Sequence, residues 1–295
     1  MMPLFIPSPA HGVWYLGPIP IRGYAISILI GIIVAFVLSR RRWKTTGGDT
    51  EHFENLIFAS ILTGIIGARI YWVLIEWPRY FGENGTWYHI FYVWQGGLGI
   101  WGGITLGFLT ALVLCRRYKI SFLKVADCVA PGFLIAQGIG RLGNWWNQEL
   151  YGLPTTLPWA LEIDKVHRVA GFEQYATFHP TFLYEMLWNF AGAALLLILS
   201  RKLRIGSGMI FSLYIIMYAL GRFWVELFRI DPVHVIAGLR INSWTTLVAG
   251  MVGVVVFVWA LKHRKGTEDY SDDVGGSGPI TVDRAEADSL GEIAP

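Results

Sequence analysis

The sequence predicts an all-α polytopic membrane protein of about seven transmembrane helices, N-terminus outside and C-terminus in the cytoplasm. Three observations carry that prediction. The chain of 295 residues is 54% hydrophobic and only 15% charged, whereas soluble domains hold about 25% charged residues. Seven apolar stretches are long enough to cross a hydrocarbon core, which takes roughly 17–25 helical residues. Basic residues cluster after every second stretch, the pattern of cytoplasmic loops.

The stretches run over 22–39, 56–76, 97–115, 125–145, 181–200, 207–228 and 243–261. The first is followed by Arg40, Arg41, Arg42 and Lys44, the third by Arg116, Arg117, Lys119 and Lys124. Arg201, Lys202 and Arg204 follow the fifth, and Lys262, His263, Arg264 and Lys265 the seventh. The alternate loops are poor in base, with Arg79 alone in 77–96 and only Arg229 and Arg240 in 229–242. The fourth stretch contains Pro131 and several glycines, so a kink or a re-entrant turn is expected there. The first twenty residues hold five prolines and neither Lys nor Arg, so no cleavable signal peptide is expected. Fourteen Trp and thirteen Tyr suit aromatic belts at the two interfaces.

Charge divides the chain at its end. Residues 266–295 hold eight acids, one base and a Gly-Gly-Ser-Gly run, which leaves 23 basic and 13 acidic residues in the body. The division is therefore a transmembrane catalytic domain with outer loops over 1–265 and a disordered acidic cytoplasmic tail over 266–295. Cys115 and Cys128 have no metal-ligand spacing and read as small core-filling residues. Gly99, Gly103 and Gly107 recur every four residues and read as a close-packing helix face.

With orientation fixed, the polar residues inside the spans gather at one depth, toward the outer face. Tyr24 starts the first span, and Arg69 lies toward the outer end of the second. Arg141, Asn144 and Asn147 close the fourth, His179, Tyr184 and Glu185 open the fifth, and Arg222 and Glu226 lie near the end of the sixth. Intramembrane charges are costly and mark functional sites. Arg222, Glu226 and Arg229 are spaced i, i+4, i+7 and share a helix face; Arg222–Glu226 reads either as a helix-pinning ion pair or as part of a site. Arg141 and Asn144, at i and i+3, present a guanidinium and an amide on one face, suited to phosphate oxygens. Two arginines from different spans, Arg141 and Arg222, suit one phosphodiester. Residues 148–178, the longest outer loop, either cover the site or receive a protein partner.

The run Gly140-Arg141-Leu142-Gly143-Asn144-Trp145-Trp146-Asn147-Gln148-Glu149-Leu150-Tyr151-Gly152 resembles the signature of the prolipoprotein diacylglyceryl transferases, with Trp145 where Phe is usual. Arg22-Gly23-Tyr24, Gly67-Ala68-Arg69, the glycine-rich run 96–103, His179-Pro180-Thr181-Phe182-Leu183-Tyr184-Glu185 and Gly221-Arg222 through Arg229 resemble further family segments in the same order. The resemblance covers about residues 12–264. It implies transfer of the diacylglyceryl group of phosphatidylglycerol to the lipobox cysteine thiol of a prolipoprotein, with glycerol phosphate leaving. It needs no cofactor or metal and places the enzyme in the bacterial inner membrane with its site toward the outer face. The partners expected are phosphatidylglycerol, the lipobox segment and membrane lipid, with no nucleic acid.

The expected catalytic residues are Arg141, Arg222, His179, Tyr24 and Glu149. The expected substrate-binding residues are Arg141, Asn144, Asn147, Gly152, Arg69, Glu185, Glu226 and Arg229. The thiolate is the nucleophile, and His179, Glu149 and Tyr24 are the candidate bases; the arginines alone also suit lowering the thiol's pKa. Many family members carry a His where this chain has Trp101, and Trp takes no proton. A lipid transporter would instead need polar residues through the inner half, where Asp127 and Gln137 are the main ones. Serine and zinc hydrolase motifs are missing from the spans.

Overall fold

The computed structural model describes residues 5–17, 19–83, 85–202 and 207–263. The acidic tail over 266–295 and the domain boundary before it lie outside them. Seven long apolar helices are present: α1 (Gly23–Thr45), α2 (Thr50–Ile75), α4 (Ile100–Arg117), α5 (Phe122–Gly140) continued by the short α6 (Leu142–Asn147), α7 (Thr181–Lys202), α8 (Met209–Glu226) and α9 (Ile241–Lys262). A one-turn helix, α3 (Trp77–Phe81), follows α2. The basic cluster after the first span stays helical, since Arg42 and Lys44 fall in the last turn of α1, where cations oppose the helix dipole. α2 starts earlier than hydropathy suggests because the Asp49 side chain caps it, accepting from the Glu51 amide at 2.8 Å.

Helix α5 is the centre of the bundle, packed by α1 on one side and by α7 and α8 on others. Of the fourth span's apolar window 56% is buried, against 6% for α4, which faces outward beyond α2. α2 and α4 approach through small residues. A methyl group on Gly67 would stand 2.4 Å from the Gly102 carbonyl oxygen, so only glycine permits the contact. Gly103 and Gly107 lie on the same seam, against Gly64 and Ser60, as the four-residue spacing predicts. Gly99 instead precedes the helix and donates its amide to the Ala68 carbonyl at 2.8 Å. Cys115 and Cys128 are free and buried with Trp43, Phe53 and Leu56, the core-filling role expected of them.

Asp127 and Gln137 have partners within the bundle. Asp127 caps α8 from the neighbouring α5: its carboxylate accepts from the Gly208 amide at 2.6 Å and the Phe211 amide at 2.8 Å. Gln137 donates to the Tyr214 hydroxyl at 3.0 Å.

Short strands, absent from the helical prediction, lie outside the spans. β1 (Phe5–Ile6) pairs in parallel with β4 (Ala160–Glu162), which pairs antiparallel with β5 (Thr177–Phe178). β2 (Val13–Leu16) and β3 (Ile19–Arg22) form one hairpin, and β6 (Val235–Ile236) and β7 (Leu239–Arg240) another. The long loop over 148–178 is thus a folded layer with its own core of Tyr151, Leu161, Ile163 and Phe178, to which Phe182 of α7 contributes. Gln148 ties it down through a pair of hydrogen bonds with Asp164, one to the carboxylate at 2.6 Å and one from the amide at 2.8 Å.

Candidate active site

The fourth span keeps Pro131 inside α5, so no re-entrant turn forms there, and the helical run is interrupted at Arg141. There the chain turns, with the Arg141 amide shared between the Gln137 and Gly138 carbonyls at 3.2 Å each, before α6 begins. The turn aims the Arg141 side chain across the bundle toward α7. Its Nη2 meets Glu185 Oε2 at 2.5 Å, while Arg222 Nη1 of α8 meets the other oxygen, Oε1, at 3.0 Å. One carboxylate is held between two guanidiniums from separate helices. Arg222 Nη2 then meets Glu226 Oε2 at 2.8 Å. Glu226 is fully buried, and its other oxygen accepts from Arg240 Nε at 2.7 Å and Asn242 Nδ2 at 3.0 Å. A buried carboxylate of this kind is tolerable only with such partners on both oxygens.

Arg229 differs from the helical expectation. α8 ends at Glu226, and Arg229 lies beyond it, bridged through its backbone to Gly152. Asp231 precedes Pro232, which disfavours further helix. Arg229 still joins the cluster, with Nε on Asp231 Oδ1 at 2.7 Å and Nη1 3.7 Å from Glu226 Oε2. Asp231 also takes Arg240 Nη2 at 3.0 Å. Sequence reasoning missed Arg240, Asp231 and Asn242. Arg240 stands at the head of the seventh span, the depth used to collect the other residues, so the same signal was available for it.

On the other flank, Asn144 links Arg141 to Glu149. Its Oδ1 lies 3.4 Å from Arg141 Nη1, and its Nδ2 donates to Glu149 Oε1 at 3.1 Å. Asn147 donates to the same oxygen at 3.1 Å. Gly152 joins the layer to the helices: its amide donates to the His179 carbonyl at 2.9 Å. A methyl there would stand 2.9 Å from His179 Cβ and 3.1 Å from the Phe228 carbonyl oxygen.

His179 precedes α7, with Nδ1 2.9 Å from the Tyr184 hydroxyl, which accepts from Trp159 Nε1 at 3.1 Å. Burial pushes its imidazole pKa below the usual 6.5, because the charged form loses solvation. Tyr24 packs its ring against Gly143 of α6, and its hydroxyl bonds no arginine among the described residues. Arg69 stands apart from the cluster. Its Nε donates to the Ile90 carbonyl at 2.6 Å, Nη1 to Gly96 and Gly97 at 2.8 and 2.9 Å, and Nη2 to His89 at 2.5 Å. Trp101, at the start of α4, is 57% exposed and turned outward.

Eight expected residues therefore meet in one network: Glu149, Asn147, Asn144, Arg141, Glu185, Arg222, Glu226 and Arg229. Gly152 and His179 border it, Tyr24 flanks α6, and Arg69 belongs to a different cluster. Among the described residues no group of His, Cys, Asp and Glu is arranged to hold a metal ion.

The chain matches the family of prolipoprotein diacylglyceryl transferases over residues 11–259. It belongs to that family. It is 52% identical to the phosphatidylglycerol–prolipoprotein diacylglyceryl transferase of Cutibacterium acnes over 90% of each chain. It is 46% identical to the second such enzyme of Streptomyces coelicolor, over 97% of this chain and 90% of the relative. With the Bifidobacterium adolescentis enzyme it shares 42% over 90% of this chain and 82% of the relative. The diacylglyceryl transferase signature read from the sequence, Gly140 to Gly152, is the segment that forms the turn at Arg141 and the Asn144–Glu149 contact, so the motif and the polar network coincide.

Proposed function

We propose that this transferase moves the diacylglyceryl group of phosphatidylglycerol onto the lipobox cysteine thiol of a prolipoprotein, at the outer face of a bacterial inner membrane. The cysteine sulfur bonds to the glycerol carbon, the bond from that carbon to the phosphate oxygen breaks, and glycerol phosphate leaves. The thiol proton must go to a base or to the departing phosphate. A phosphodiester with one negative charge becomes a phosphomonoester that gains a second. Preorganised cations aimed at that charge lower the barrier more than they stabilise the bound lipid.

The observation that carries this reading is the convergence of Arg141 and Arg222 on one carboxylate, at 2.5 and 3.0 Å. Guanidiniums that share one carboxylate lie close to a common anion site, and Glu185 offsets their mutual repulsion. Each guanidinium has five N–H donors, and the described contacts leave several on Arg141 and Arg222 for phosphate oxygens. Asn144 and Glu226 orient the pair. Glu149, His179 and Tyr24 are the candidate acceptors for the thiol proton, since Trp101 takes none. The side is argued from charge. The basic helix ends at Arg42, Arg116, Arg201 and Lys262 close α1, α4, α7 and α9, opposite to the end that holds the cluster. Positive loops stay cytoplasmic.

The test is direct. Purified enzyme is incubated with phosphatidylglycerol and a cysteine-containing lipobox peptide, and the peptide is weighed. A gain of one diacylglyceryl group is expected; an unchanged mass with folded enzyme overturns the reading.

A further inference from the structure

We propose that Arg240 is a positioning residue for the transfer, acting on Arg222 through Glu226; the assignment rests on the reaction proposed above. The two oxygens of Glu226 are divided in their work. Oε1 is fixed from the start of α9 by hydrogen bonds from Arg240 and Asn242, whereas Oε2 makes no hydrogen bond among the described residues and meets Arg222 Nη2 as an ion pair at 2.8 Å. A carboxylate pinned on one oxygen cannot rotate about its end. The contact to Arg222 therefore has one direction, and Arg222 has its Nη1 delivered to Glu185 beside Arg141.

Arg240 is itself placed by more than charge. Its Nη2 meets Asp231 at 3.0 Å, and its Nη1 donates to the carbonyls of Arg229 and Asp231 at 3.2 and 3.0 Å. A planar guanidinium spans Glu226, Asp231 and two carbonyls at once; an ammonium cannot. Without Arg240, Glu226 and Asp231 would compete for Arg229, which now bonds Asp231 closely and stands 3.7 Å from Glu226. Arg229 would be drawn to one or the other, and Glu226 would be free to turn from Arg222. The electrostatic sum changes too. Arg141, Arg222, Arg229 and Arg240 face the carboxylates of Glu185, Glu226, Asp231 and, across Asn144, Glu149, so the network balances in charge. Losing Arg240 leaves one negative charge in excess, which disfavours an anionic headgroup.

The experiment compares Arg240→Gln and Arg240→Lys with the parent enzyme in phosphatidylglycerol vesicles, with a lipobox peptide as acceptor. Melting temperature, KM for the lipid and kcat are read together. Arg240→Gln is expected to lower kcat by roughly 30-fold, less than the hundredfold or more of a directly lost preorganised donor because it acts through Glu226, with a KM rise of only about threefold. Arg240→Lys should recover part of kcat, and in a Glu226→Gln background Arg240→Gln should cost little more, since both act on one contact. A folded Arg240→Gln enzyme with parental kcat overturns the assignment. So does a pair of variants that lose melting temperature and activity in proportion, with Lys no better than Gln. If Arg240→Gln does not fold, parental kcat in a folded Arg240→Lys enzyme overturns it. Absence of transfer by the parent enzyme overturns the reaction itself, and this assignment with it.

Discussion

Two arginine clusters sit at the same end of the bundle and differ in what surrounds the guanidinium. Arg69 is 7% exposed and spends four donor contacts on the neutral carbonyls of His89, Ile90, Gly96 and Gly97. Arg141 meets a carboxylate and one amide oxygen, and Arg222 meets two carboxylates. The first arrangement staples the loop between α2 and α4 to the helix, and its cation has little left to offer. The second holds cations by groups that also carry charge, with donors to spare. A buried arginine is thus informative about function through its partners. Carbonyls on most of its donors mark a latch; shared carboxylates and free donors mark an anion site.

That contrast can be broken most sharply at Arg141. Arg141→Ala should lower transfer about a thousandfold while leaving a folded membrane protein, since Glu185 keeps Arg222 as partner. Full activity in the lipidation assay would make the Arg141–Arg222 cluster another latch. Arg69→Ala should do the opposite: a loss of about 3 kcal/mol in stability as four carbonyls lose a charged donor, with kcat of the folded fraction nearly unchanged. Thermal melting beside single-turnover rates separates the two, and a large kcat loss at parental stability would move Arg69 into the active site. Gly152→Ala lies between them. The methyl must displace His179 or the Phe228 carbonyl, at about 1–3 kcal/mol, and activity should fall with the shift of Arg229 and His179.

The smallest effect concerns pH. If neutral His179 takes the thiol proton, activity is lost as pH falls through a pKa held below 6.5 by burial. The acid limb of kcat/KM then lies under the ordinary histidine value and vanishes in His179→Gln. An acid limb unchanged in that variant would leave Glu149 or Tyr24 as the acceptor.

Most helices, and the grouping of the outer polar residues, were legible because they rest on short-range rules. Hydropathy over twenty residues found seven spans, and residues at one depth proved to include Arg141, Glu185, Arg222 and Glu226. Pro131 stays inside α5, and the helical run is interrupted at Arg141. One local expectation failed for a tertiary reason. Arg229 left the helix face expected for it because its backbone bridges Gly152, some eighty residues earlier in the chain.

What the sequence alone determined is therefore the family, the number of spans and the depth at which charge collects. Each depends on composition along the chain or on residues contiguous in a motif. Which arginine meets carbonyls and which meets carboxylates was decided only by the fold, as were the sharing of Glu185 between two helices and the entry of Arg240 and Asp231. A guanidinium's partners are chosen by distance in space, and a span pattern carries depth but not the rotation or neighbours of a helix.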